Sequence, residues 1–231
     1  MYWDATYILV IIGAVISAIA SWNVNRTFKT YSRYVNSKGL TAEECAALIM
    51  QEAGISDVRI GRIQGNLSDH YSPAEKVLRL SDTVYGAASV AALGVAAHEC
   101  GHAIQHKVGY FPLKLRAVSV PVANIGSKLS WPVILAGLLF DNLGIVRIGI
   151  LLFGFVVLFQ LITLPVEFDA SRKALTILKE KNLLADGELE GASKVLKAAA
   201  LTYVAALFSS ILQLLRLILL TRGNGQRRNN R

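Results

Sequence analysis

Ala97-His98-Glu99-Cys100-Gly101-His102 governs how the rest of this chain is read. The hexapeptide lies in an alanine-rich run, residues 87–105, whose composition predicts a helix. On a helix, side chains four apart share a face. His98 and His102 can therefore aim two imidazole nitrogens at one Zn²⁺, with Glu99 beside them to take a proton from a metal-activated water.

The surroundings are strongly apolar. The chain has 231 residues, 53% hydrophobic and only 17% charged, with a mean hydropathy of +0.45. Soluble domains average about 25% charged. The excess apolar content falls in long runs, which is a membrane signature. The net charge of +8 does not point to nucleic acid. Its basic residues gather at the ends of the apolar runs, and no RNA- or DNA-binding motif accompanies them. Cys45 and Cys100 make no C-x-x-C spacing and read as two buried, reduced thiols.

Outward from the hexapeptide, six segments follow from pattern. Residues 1–25 form an N-terminal transmembrane anchor, with Tyr2, Trp3 and Trp22 as interfacial aromatics. Its only early charge is Asp4, and Arg26, Lys29, Arg33 and Lys38 come after it, so it is not a cleaved signal peptide. Residues 26–117 form a membrane-proximal domain holding the histidine helix. In it, Thr41 and Glu44 make a capping box ahead of a short helix ending near Gly54. Residues 58–60 and 76–80 alternate and predict two strands. Residues 65–73 read as a loop, and Ser81-Asp82 as the cap of the metal-motif helix.

Residues 118–165 form a transmembrane hairpin broken at Asp141-Asn142 and stopped by Pro165. Residues 166–197 form a polar helical segment, 198–220 a transmembrane or membrane-embedded helix, and 221–231 a basic, unstructured tail. Lys and Arg crowd the loops after the first and third apolar segments and avoid the loop between the second and third. The chain is thus expected to be a multi-pass cell-membrane protein with the histidine domain on the cytoplasmic face. The basic tail breaks that rule if all four segments cross.

A catalytic zinc takes three protein ligands and keeps one open position. His106 extends the spacing to i+8, but about 12 Å of helix separates it from His98, too far for one ion. Its plainer role is a helix-end histidine near the C-terminal dipole. Glu167 follows Pro165, and two apolar segments return it to the membrane face of His102. On the residues alone, it reads equally as a third ligand or as a helix-start carboxylate that offsets the dipole.

The stretch His98-Glu99-Cys100-Gly101-His102-Ala103-Ile104-Gln105 resembles the bacterial membrane neutral zinc metallopeptidases (YugP-like). So do Leu67-Ser68-Asp69-His70-Tyr71, Pro165-Val166-Glu167-Phe168-Asp169-Ala170-Ser171-Arg172, and residues 196–206. The resemblance runs from about residue 2 to 220. It implies a mainly α multi-pass membrane protein with a small membrane-proximal α+β, gluzincin-like domain. It further implies one catalytic Zn²⁺ on His98, His102 and Glu167, with Glu99 as general base; proximity to the membrane, rather than the resemblance, points to membrane proteins or membrane-associated peptides as substrates. His70 and Tyr203 lie in matching segments and are candidates to stabilise an oxyanion.

The chain is also distantly similar to the HtpX-type membrane proteases, which place an Asp four residues after the ligand Glu. Here that position is Ser171, and Asp169 falls on a different helix face. Orientation of a metal-bound histidine must come from elsewhere, or from the Ser171 hydroxyl. The 76–80 strand could take an extended substrate at its edge.

Two other readings compete. A site-2-type intramembrane protease would put the histidine helix inside the bilayer, but the helix is rich in Ala and Gly and no L-D-G motif is present. A non-catalytic scaffold with structural zinc would need a fourth ligand, commonly Cys, and Cys100 points away from the histidines.

Overall fold

The computed structural model describes residues 5–229, with side chains for residues 5–221. Tyr2, Trp3, Asp4 and the side chains of the basic tail lie outside the described residues. Nine elements follow in order: α1 (Tyr7–Tyr31), α2 (Ala42–Glu52), β1 (Arg59–Ile63), β2 (His70–Ser72), β3 (Val77–Ser81), α3 (Val90–Lys107), α4 (Phe111–Leu139), α5 (Leu143–Glu180) and α6 (Asp186–Asn229). The chain divides into two compact units. An apolar unit takes the residues up to Ala20, Lys114–Leu164 and those from Thr202 on. A mixed unit takes Ser21–Leu113 and Pro165–Leu201.

In the apolar unit, helices pack through small residues. A Cβ at Gly126 of α4 would lie 2.5 Å from the Leu152 carbonyl of α5, and one at Gly149 of α5 would lie 2.9 Å from the Ser130 carbonyl of α4. Backbones meet this closely where apolar attraction between side chains cannot do the work, as in lipid. On α1 and α6, Ser209 Oγ lies 2.8 Å from the Gly13 carbonyl and 2.8 Å from Ser17 Oγ. Large apolar side chains face outward, with Val118 75% and Leu151 63% exposed. Such a surface suits hydrocarbon rather than water. Among the described residues, four helices are long and apolar enough to cross a membrane: α1, α4, α5 and α6; α3 is not among them.

The mixed unit is built around α3. The capping box at Thr41 and Glu44 starts α2 as expected. Gly54 ends it: at φ +62° it lets Ile55 N–H reach the Met50 carbonyl and its own N–H reach Gln51. Lys107 Nζ, from the last turn of α3, adds a hydrogen bond to the Gly54 carbonyl at 2.8 Å. Ile49, Ala46 and Cys45 of α2 join Ala96, Ala97 and Cys100 of α3 in one fully buried cluster with Leu78 and Leu80 of β3. Cys100 donates to the Ala46 carbonyl at 3.7 Å, on the side of α3 facing α2.

Several boundaries differ from expectation. The cap of α3 is Ser89, whose hydroxyl accepts from Ala92 N–H, and not Ser81-Asp82. Ser81 ends β3, and Asp82 accepts from Arg62 Nε and Gly65 N–H. The expected 65–73 loop hides the strand β2, whose three residues are too few to show alternation. The sheet order is β1-β3-β2, with β1 parallel and β2 antiparallel to β3. The 76–80 strand is therefore central, both its edges are paired, and it offers none to a substrate. Pro165 does not stop the third apolar segment. It removes one N–H, yet α5 runs on to Glu180. Glu167 consequently lies inside a helix, and the helix-start reading of it falls.

Candidate metal centre

Each residue of the centre is set by a helix whose approach is sterically specified. Gly101, between the two histidines, faces α5. A Cβ there would lie 2.5 Å from the Ala170 carbonyl, so only glycine lets α3 and α5 come this close. Ala170 is three residues beyond Glu167, so this contact brings the Glu167 carboxylate to the histidines. The entry to α3 is clamped by buried Asn36, whose amide donates to the Leu40 and Ala88 carbonyls at 2.7 Å each.

His98, His102 and Glu167 converge. Their ligand atoms lie within 4.8 Å of one another, and the three could hold a metal ion. Glu167 Oε2 is 3.3 Å from His98 Nε2 and 3.6 Å from His102 Nε2. The Glu167 side chain is 3% exposed and the histidines 15% and 12%. The rings stand edge to face, 84° apart. Burial pushes the His102 pKa down, but the nearby Glu167 carboxylate and the charge of Glu99 outweigh it, leaving it above its ordinary value. Two imidazole nitrogens and a carboxylate oxygen form a His₂Glu donor set suited to Zn²⁺.

The other ring nitrogens are occupied. Ser171 Oγ is 3.1 Å from His98 Nδ1, and Gln105 Oε1 is 3.0 Å from His102 Nδ1. Ser171 was an expected partner. Gln105 was not, because its role needs α5 beside it: its Nε2 donates to the Val166 carbonyl at 2.8 Å and to Asp169 Oδ2 at 2.9 Å. Asp169, expected on a different face from the ligand Glu, thus reaches the centre through Gln105.

Glu99 is buried, 7% exposed, one residue from His98. His106 is outside the three-residue group; its Nδ1 lies 2.9 Å from the Tyr71 hydroxyl. His70 contacts the Ser68 carbonyl through Nδ1, and Tyr203 belongs to the apolar unit. Neither cysteine joins a metal-ligating group among the described residues.

Residues 6–222 match the family described as "Putative neutral zinc metallopeptidase". The chain is 43% identical over 201 residues, 87% of its length, to the "Putative membrane protease YugP" of Bacillus subtilis (strain 168), covering 89% of that protein. The chain belongs to this zinc metallopeptidase family. No solved structure matches it. The match spans both the histidine helix and Glu167, so the two halves of the centre fall within one family unit.

Proposed function

We propose that this chain is a zinc-dependent membrane endopeptidase in which His98, His102 and Glu167 hold one Zn²⁺ and Glu99 is the general base. The observation that carries the reading is the convergence of two Nε2 atoms on one buried carboxylate oxygen. A bound zinc would supply Lewis-acid polarisation of the scissile carbonyl and activation of a water. Glu99 then accepts the proton of that water and returns it to the leaving amine, which makes it base and acid in turn. Ser171 and Gln105 hold the two rings in place.

The same reading makes the protein multi-pass, its mixed unit a small gluzincin-like domain at the cytoplasmic face, and its substrates membrane proteins or membrane-associated peptides. Because α3 is not apolar enough to span, the observations favour a site beside the bilayer over one within it.

Purified, detergent-solubilised wild type and Glu99→Gln, both assayed for zinc and for peptide cleavage, test the reading. Cleavage should fall by at least about 10²-fold in Glu99→Gln with zinc retained. Cleavage unchanged by the substitution would remove Glu99 from the chemistry, and a wild type without zinc would remove the metal.

A further inference from the structure

We infer that Gln105 is the residue that selects the metal-binding tautomer of His102 and fixes α3 against α5, with Asp169 as the anchor that holds its amide the right way round. The inference rests on the zinc reading above and extends it to a residue outside the ligand set.

The argument starts from donors and acceptors. Gln105 is fully buried, and its amide makes three hydrogen bonds. Two go to the Val166 carbonyl and the Asp169 carboxylate, which only accept, so the NH₂ group must face them. The amide oxygen is then left facing His102 Nδ1. An amide oxygen also only accepts, so Nδ1 carries the hydrogen. The neutral ring then keeps its lone pair on Nε2, which suits a cation shared with the Glu167 oxygen that Nε2 faces. A flipped amide would set its oxygen against two oxygens, and a flipped tautomer would set a lone pair against the Gln105 oxygen.

Asp169 makes the flip costly. Its side chain is 5% exposed and is itself held by Arg172 and by Lys173 Nζ at 2.6 Å. Lys173 in turn lies over the Tyr110 ring, 5.4 Å from its centre. The carboxylate is fixed from its outer side and cannot swing away to relieve an inverted amide. Val166 directly precedes Glu167, so the same side chain that sets the His102 proton also ties α3 to the backbone beside the third ligand.

His98 is served differently. Its partner is the Ser171 hydroxyl, which can donate or accept and so does not dictate a tautomer. An asymmetry follows: His102 is locked, whereas His98 is only supported. An aspartate four residues after Glu167 is absent, and an amide backed by a carboxylate from α5 takes over its orienting work.

Nitrogen-15 spectroscopy of the histidine rings tests this in the zinc-loaded wild type, where no ring proton lies between Nε2 and the Glu167 carboxylate. Four histidines make assignment by single substitution practical. His102 should appear as the Nδ1–H form; the Nε2–H form would overturn the inference, whatever any variant does. Zinc affinity by chelator competition is the second readout. Gln105→Met, of similar volume, should bind zinc about 10- to 100-fold more weakly and mix the His102 tautomers, while Ser171→Ala loses less. A Gln105→Met protein with unmixed tautomers and affinity within about twofold of wild type would also overturn it. Should Gln105→Met not fold, the wild-type spectrum decides alone. Wild type with no zinc at all would instead sink the zinc reading, which keeps the two failures apart.

Discussion

The two units solve the same problem, bringing helices into contact, with different residues. In the apolar unit, Gly126 and Gly149 let α4 and α5 meet backbone to backbone, and polar contacts between α1 and α6 include Ser209 to Ser17 and the Gly13 carbonyl, and Arg216 over the Tyr7 ring. In the mixed unit, Gly101 does the same for α3 and α5, but the space beside it is filled by Gln105, Glu167 and Asp169, all 5% exposed or less. Buried polar groups cost free energy unless they are partnered. The apolar unit also buries Ser130, Thr163 and Arg216, but the buried carboxylates Glu99, Glu167 and Asp169 all fall in the mixed unit, where the chain accepts that cost beside the two histidines.

The largest expected effect comes from crowding the two glycine contacts in turn. Gly101→Leu would push its side chain into the Ala170 backbone, costing about 3 kcal/mol and separating Glu167 from the histidines. Zinc should be lost outright. Gly13→Leu faces Ser209 with a Cβ contact of 3.1 Å, and should lower thermal stability while leaving zinc stoichiometry intact. Zinc content and melting temperature of both variants in detergent check the pair. If Gly13→Leu also empties the centre, the polar chemistry is not confined to the mixed unit as argued.

Asn36→Ala sharpens the comparison at an intermediate size. The Asn36 side chain makes four hydrogen bonds around the entry to α3: two from its amide nitrogen, and two accepted by Oδ1 from Lys38 and Leu40 N–H. Its loss takes this partner from the Leu40 carbonyl and from the Lys38 and Leu40 N–H groups, while the main-chain N–H of residue 36 still reaches the Ala88 carbonyl, and should cost about 1–3 kcal/mol, read as a lower midpoint in denaturant. Ser89 still caps α3, so zinc binding should survive. A variant as stable as wild type would show that the clamp is redundant with the cap.

These two sites also show what the sequence could and could not disclose. The long apolar runs were legible because hydropathy is a local property, and the His98–His102 pair because helical period places it. Glu167 became legible only through resemblance, since its partner lies more than sixty residues away. Gly101 carries no local turn signal; its meaning lies in the Ala170 carbonyl opposite. Gln105 and Asp169 each look like ordinary helix residues until α3 and α5 are side by side. Pro165 misled for a related reason. A proline that ends a helix in water can be carried within one among apolar helices, so the expected break never came. β2 was missed because three residues are shorter than any alternation.

The smallest expected effect concerns the side of α3 turned away from the histidines. Cys45 and Cys100 sit in the apolar cluster between α2 and α3. Burial pushes the Cys45 thiol from its ordinary 9.0 up to about 12, because a thiolate there would have no solvent. Reactive cysteines need the thiolate, so folded protein should resist iodoacetamide at pH 8 and label only on unfolding. A thiol whose folded pKa is raised contributes stability that is whole below the unfolded value and drains as pH climbs through the folded one. Labelling and loss of folding should therefore both grow between pH 9 and about 12. Rapid alkylation of Cys45 in folded, zinc-loaded protein at pH 8 would mean that α2 leaves α3 readily. The dry side of the helix would then not be the rigid backing that holds His98 and His102 in place.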